Sequence, residues 1–214
     1  MFTERYRAAY VSLGLPLLPK HGISPEMLEL DSLEGLRLPQ ALLEYYLIAG
    51  DEPILNQSFN RLLAPEQIGL EAGRIVFMEE NQQVVYWGVP ASSQSDDPNP
   101  IVEQGIYVEN EPLEWHSEHS TVADFLETAL YWQASFGGLK YQVSAAVTPE
   151  TETQLRSDFR FVGAIGGLKA FARDGCALCL LDWFDDETRI FAGFAKKKLQ
   201  VAVGRELGVL WEET

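Results

Sequence analysis

Near residue 50 the hydrophobic period of this chain changes from 3.6 to 2, and near residue 121 it changes back. Before the first change, Leu42, Leu43, Tyr46 and Leu47 fall on one helical face behind Leu38-Pro39, and Gly50 stands where a helix stops. A helix over residues 39–49 is predicted. After it come short apolar runs at Arg61–Ala64, Arg74–Met78 and Gln83–Val89, with polar turns at Pro65–Ile68 and Glu79–Gln82. Ile106–Glu109 and Leu113–Trp115 flank Asn110-Glu111-Pro112 as a second hairpin, after a Ser/Asp/Pro/Asn loop at 91–100. The helical period returns in Val122, Phe125, Leu126, Ala129 and Leu130. Ser120-Thr121 caps this helix, Asp124 complements its positive end, and Gly137-Gly138 ends it. Helix, meander of strands, helix is an α+β order.

Around this block the chain carries two further segments. Phe2, Tyr6, Ala9, Tyr10 and Leu13 make an amphipathic helix broken by Gly14 and Pro16, and Ser24-Pro25-Glu26 opens a short helix. Beyond residue 138, Leu139–Val147 alternates as a strand and Thr148-Pro149-Glu150 starts a short helix. Ala177–Phe184, Arg189–Ala195 and Lys198–Val203 then read as strands of a small antiparallel sheet, parted by Asp185-Asp186-Glu187 and by Lys196-Lys197. The expected organisation is an N-terminal helix and loop (1–24), an α+β domain (25–138) and a β-rich C-terminal extension (139–214).

The charge is unevenly spread. Residues 1–138 hold 21 acidic and 6 basic side chains, against 11 and 10 in residues 139–214. Such a surface repels phosphate backbones and anionic membranes and attracts basic proteins. No apolar run is long enough to span a bilayer, and Met1–Tyr10 does not read as an export signal. Two cysteines are too few for a disulfide framework, so a cytoplasmic location is expected.

The stretch Leu38-Pro39-Gln40-Ala41-Leu42-Leu43-Glu44-Tyr45-Tyr46-Leu47-Ile48-Ala49-Gly50 resembles the signature helix of the SUKH superfamily, which includes yeast cell-wall assembly regulators and many bacterial immunity proteins. The following order is also similar: a short strand and turn at Arg61–Ile68, a hairpin at Met78–Val89, and a closing helix at Ser120–Trp132. Ala49 departs from the Asn frequent before the family's glycine, and residues 139–214 have no counterpart in the pattern. The resemblance implies a curved antiparallel sheet flanked by helices, in proteins best known for binding and neutralising toxins, nucleases prominent among them, without chemistry of their own.

The residues themselves offer little chemistry. Cys176 and Cys179, three apart in an apolar strand-like run, would face opposite sides and read as structural thiols. His116 and His119, among Glu114 and Glu118, precede the Ser120 cap and are expected in a loop; a metal-dependent hydrolase built on them is the remote alternative. No Gly-x-Ser-x-Gly elbow or phosphate loop occurs, and Gly163–Gly167 reads as a turn beside a strand. No catalytic residue, cofactor or metal site is therefore expected. The set that stands out joins acids to aromatics: Asp51, Glu52, Glu79, Glu80, Asn81, Trp87, Glu103, Glu109, Glu111, Glu114 and Trp115. Carboxylates around aromatic anchors suit a basic protein partner, such as a toxin domain. A regulatory or scaffold module binding a host protein or peptide is the alternative.

Overall fold

The computed structural model describes residues 1–30, 33, 35, 37–91, 97–109, 113–182 and 187–213. It is an α+β protein, as expected from the sequence, and is built on two six-stranded antiparallel sheets. The chain forms two compact units, one of residues Met1–Tyr6 and Leu17–Phe125, the other of Arg7–Pro16 and Leu126–Thr214. This differs from the expected boundaries at 24 and 138, because the two helices α1 (Phe2–Leu13) and α3 (Val122–Gln133) each contribute to both units. All 20 acidic and 5 basic residues of residues 1–6 and 17–125 belong to the first unit, so the charge excess follows the structural division.

In the first unit α2 (Gln40–Ala49) forms where the Pro39 and Gly50 signals place it. Its sheet comprises β1 (Arg61–Leu62), β2 (Gly69–Glu71), β3 (Arg74–Glu79), β4 (Val85–Pro90), β5 (Ile101–Ile106) and β6 (Glu114–Thr121). The order is β1-β3-β4-β5-β6, with β2 also paired to β3. One face carries Ile75, Phe77, Trp87 and Val89, all buried, and meets Phe125 of α3. There Phe125 lies edge-on to Phe77 at 5.8 Å and tilted to Trp87 at 5.7 Å. The α3 start is fixed as expected: the Thr121 hydroxyl donates to Asp124 at 2.7 Å and accepts from its backbone N–H at 3.4 Å. Tyr6 joins α1 to α2 through a 3.0 Å hydrogen bond to the Ala41 carbonyl and an edge-to-face contact with Tyr45.

The second unit holds β7 (Tyr141–Ala146), α4 (Pro149–Asp158), β8 (Arg160–Ile165), β9 (Leu168–Arg173), β10 (Cys176–Asp182), β11 (Thr188–Phe194), α5 (Lys197–Leu207) and β12 (Glu212–Glu213), with strand order β12-β7-β11-β10-β9-β8. One sheet face packs Phe171, Leu178, Ile190 and Phe194 against Leu155 and Phe159 around α4 and against Val203 and Leu207 of α5. The other face lies close to α3, where an added Cβ at Gly163 would fall 2.2 Å from the Thr128 hydroxyl. One expectation is corrected here: Lys198–Val203 is helix, not strand. Leu199, Val203 and Leu207 recur every fourth residue, and Gly208, at φ +66°, supplies the left-handed residue after the helix. The expected turn at residues 110–112 and Asp185-Asp186 lie outside the described residues, as do residues 92–96 of the loop at 91–100.

Candidate functional site

Strand parity decides what the open face of the first sheet displays. Because Trp87 and Val89 turn into the core, Tyr86 and Gly88 turn away from it. The register then brings Glu79 opposite Tyr86, Gly105 opposite Tyr86 and Trp115 opposite Gly105. Gly88 and Gly105 leave room for Trp115 to lie on the sheet: a Cβ added at Gly105 would be 3.0 Å from the indole ring. The Arg74 guanidinium sits 5.6 Å from the centroid of that ring and pairs with Glu103 at 2.8 Å.

Beside this stack lies a cleft of about 530 Å³. Val76 and Glu79 of β3 and Tyr86 of β4 line it, with Gly69, Leu70 and Glu71 of β2 on one side and Tyr107 and Leu113 on the other. Glu79 is held by Arg61 at 2.8 Å, its strand partner across β1, and accepts a 3.4 Å hydrogen bond from Gln83. Burial, the Glu79 carboxylate and Tyr107 together raise the Tyr86 phenol above its ordinary pKa. Tyr107 is half exposed, as are Val108 next to it in the chain and Val84, whose carbonyl accepts from the Tyr107 N–H.

The expected contact residues fall into three groups. Glu52 and Trp87 are turned into the fold, which corrects their expected place on the contact surface, while Glu79 stays on the open sheet face but is largely buried there beside Arg61. Glu52 is buried because its carboxylate caps the turn after α2, accepting from the N–H groups of Ile54 at 3.1 Å and Leu55 at 2.7 Å. Trp87 is a core residue whose indole N–H donates to Glu118 at 2.9 Å. Glu103 and Trp115 are half-buried in the stack with Arg74. Asp51, Asn81, Glu109 and Glu114 are exposed, Glu80 is half-buried in the β3–β4 turn, and Glu111 lies outside the described residues. Glu71, Tyr86 and Tyr107 were not expected in the site. For Tyr86, opposite parity to a buried tryptophan was the available signal.

The histidines stand on strand β6, not in a loop, and both are exposed. The polar composition of residues 114–121 hides an edge strand that pairs with β5. Among the described residues no group of three His, Cys, Asp or Glu side chains could hold a metal ion. Cys176 joins the core of one sheet face, while the Cys179 thiol donates to the Tyr131 carbonyl at 3.8 Å, so the two do face opposite ways. Burial pushes their thiols up to about 11 and about 12 respectively. Both stay protonated at pH 8, so a thiol reagent such as Ellman's should label less than a tenth of either in the native protein within minutes, and both once the chain is unfolded.

No protein-family model, curated protein or solved structure matches this chain. Among the described residues, no helix is long and apolar enough to cross a membrane.

Proposed function

We propose that the chain is a non-enzymatic protein-binding module of the immunity type, which neutralises a basic toxin-like protein by engaging it with the acidic first unit. The observation that carries this reading is the uncompensated charge on that unit's surface. Three of its five basic residues are already committed: Arg5 to Asp124 at 2.7 Å, Arg61 to Glu79 and Arg74 to Glu103, both at 2.8 Å. Asp51, Glu66, Glu71 and Glu109 remain exposed, and Glu114 is exposed beside His116 at 3.5 Å. Carboxylates without a local counter-ion steer a cationic partner and set its association rate. The resemblance of residues 25–137 to the SUKH pattern supports the same class of function, and two reduced, unbridged thiols suit a cytoplasm.

The test is capture with the tagged full chain from its native host, identification by mass spectrometry, and co-expression of the captured protein. The expected partner is basic, arrests growth when expressed alone and is relieved by this chain. Its Kd should weaken by about tenfold or more between low and physiological salt, as the Debye length falls to about 8 Å. An acidic partner, or an affinity indifferent to salt, overturns the reading.

A further inference from the structure

We propose that the cleft on the open sheet face seats a lysine or arginine side chain from an extended segment of the partner, its cationic head lying against Tyr86 and Tyr107 near Glu71 and Glu79. This rests on the protein-binding reading above and adds the chemistry of what is bound. Charge complementarity comes first. Among the described residues, those that line the cleft include two carboxylates and no base, and Arg61, which neutralises one of them, is not among them. One Glu79 oxygen is taken by Arg61; among the described residues the other has only the 3.4 Å contact from Gln83, long for such a hydrogen bond. Glu71 is exposed and makes no ion pair among the described residues.

Two phenol rings in the same cleft add attraction of a kind that carboxylates alone lack. A cation over an aromatic face is attracted by the ring quadrupole, the more strongly as it is desolvated. Leu70, Val76 and Leu113 supply apolar walls for the aliphatic stem of such a side chain. The geometry suits an extended segment. Running from β2 across β3 and β4 to the end of β5, the cleft crosses three strand spacings, about 14 Å, which is the length of about four extended residues.

The probes are the peptide acetyl-Leu-Arg-Leu-Arg-Leu-amide and its counterparts with Gln or Glu in place of Arg, titrated into the full ¹⁵N-labelled chain. The Arg peptide should bind and shift the Glu71, Tyr86 and Tyr107 amides, while the Gln and Glu peptides bind at least about tenfold more weakly. Glu71→Lys and Tyr107→Ala, both at exposed positions, should each weaken the Arg peptide by about tenfold. Asp51→Lys, which does not touch the cleft, should cost less than about threefold. Equal binding of the Gln peptide overturns the cation assignment. An unchanged Kd in Tyr107→Ala, with Asp51→Lys as damaging as Glu71→Lys, overturns the cleft and leaves the acidic face standing. If no Arg peptide binds although a captured basic partner does, the cleft alone is refuted; if neither binds, the functional reading falls with it.

Discussion

Phe125→Ala is expected to unfold the first unit more readily by about 3–5 kcal/mol, the range for deleting a large buried aromatic side chain. Phe125 is fully buried and is the point where α3 meets both β3 and β4, through Phe77 and Trp87. Truncation removes the transfer free energy of the ring and leaves a cavity walled by two other aromatics that β-strand pairing holds in place. Collapse into that space is limited, so the upper part of the range applies. For a chain of this length the same loss corresponds to a fall in Tm of about 6–20 °C. Phe125→Leu, which keeps most of the volume, should cost less than about 2 kcal/mol. Guanidinium titrations followed by tryptophan fluorescence, with Trp87 beside the cavity, give both values. A loss under 1 kcal/mol in Phe125→Ala would mean that α3 is not what closes this sheet.

The sequence marks α2 and α3 well because their signals are local. Pro39 and Gly50 bracket one helix, and Thr121 with Asp124 starts the other. What it hides depends on pairing across the chain. Strand β2 is three residues long and returns through Ala72-Gly73, both at positive φ, and alanine gives no warning of that conformation. Strand β6 has no hydrophobic alternation to betray it, since its partner β5 and not a core defines it. The C-terminal helix is masked by a run that alternates over six residues, although its four-residue stripe runs from Leu199 to Leu207. The division into units escaped a reading that gave α3 a single apolar face. Ala123 and Tyr131 are buried as well as Phe125 and Leu130, so the helix is apolar on more than one side.

The candidate site shows the same limit from the side of function. Composition draws attention to acids near aromatics in residues 51–115, but it cannot tell which acids the fold uses internally. Glu52 went to a turn, Glu79 to an arginine on the neighbouring strand β1, Glu103 to one on β3 across β4, and Trp87 to the core. A carboxylate that closes its own turn or ion pair is a poor recognition element, because a partner must compete with an interaction already made. With the internal pairs subtracted, the weight of the proposed interface moves toward Glu71 and Glu109 and toward the two tyrosines.

Gly193→Ala is expected to cost the second unit about 3 kcal/mol, at the upper end of what one added methyl group does to a packed interior. Gly193 lies on β11, paired with Gln142 on one side and Ala177 on the other, in the middle of the sheet. A Cβ there would stand 2.1 Å from the Ala134 carbonyl oxygen and 3.0 Å from its carbon. Both obstructing atoms are backbone, and the oxygen also accepts a 3.1 Å hydrogen bond from Gln142, so relief requires moving the turn after α3 and breaking that bond. Gly204→Ala is the informative comparison. Its added Cβ would meet the Trp211 indole nitrogen at 2.4 Å, a side chain near the C-terminus whose displacement loses one hydrogen bond to the Gln200 carbonyl. That variant also gains from alanine's higher helix propensity, about 1 kcal/mol. Chemical denaturation should rank Gly193→Ala well below both Gly204→Ala and the unaltered chain. Equal stabilities for the two variants would show that the close approach of α3's end to β11 is not a fixed feature of the second unit.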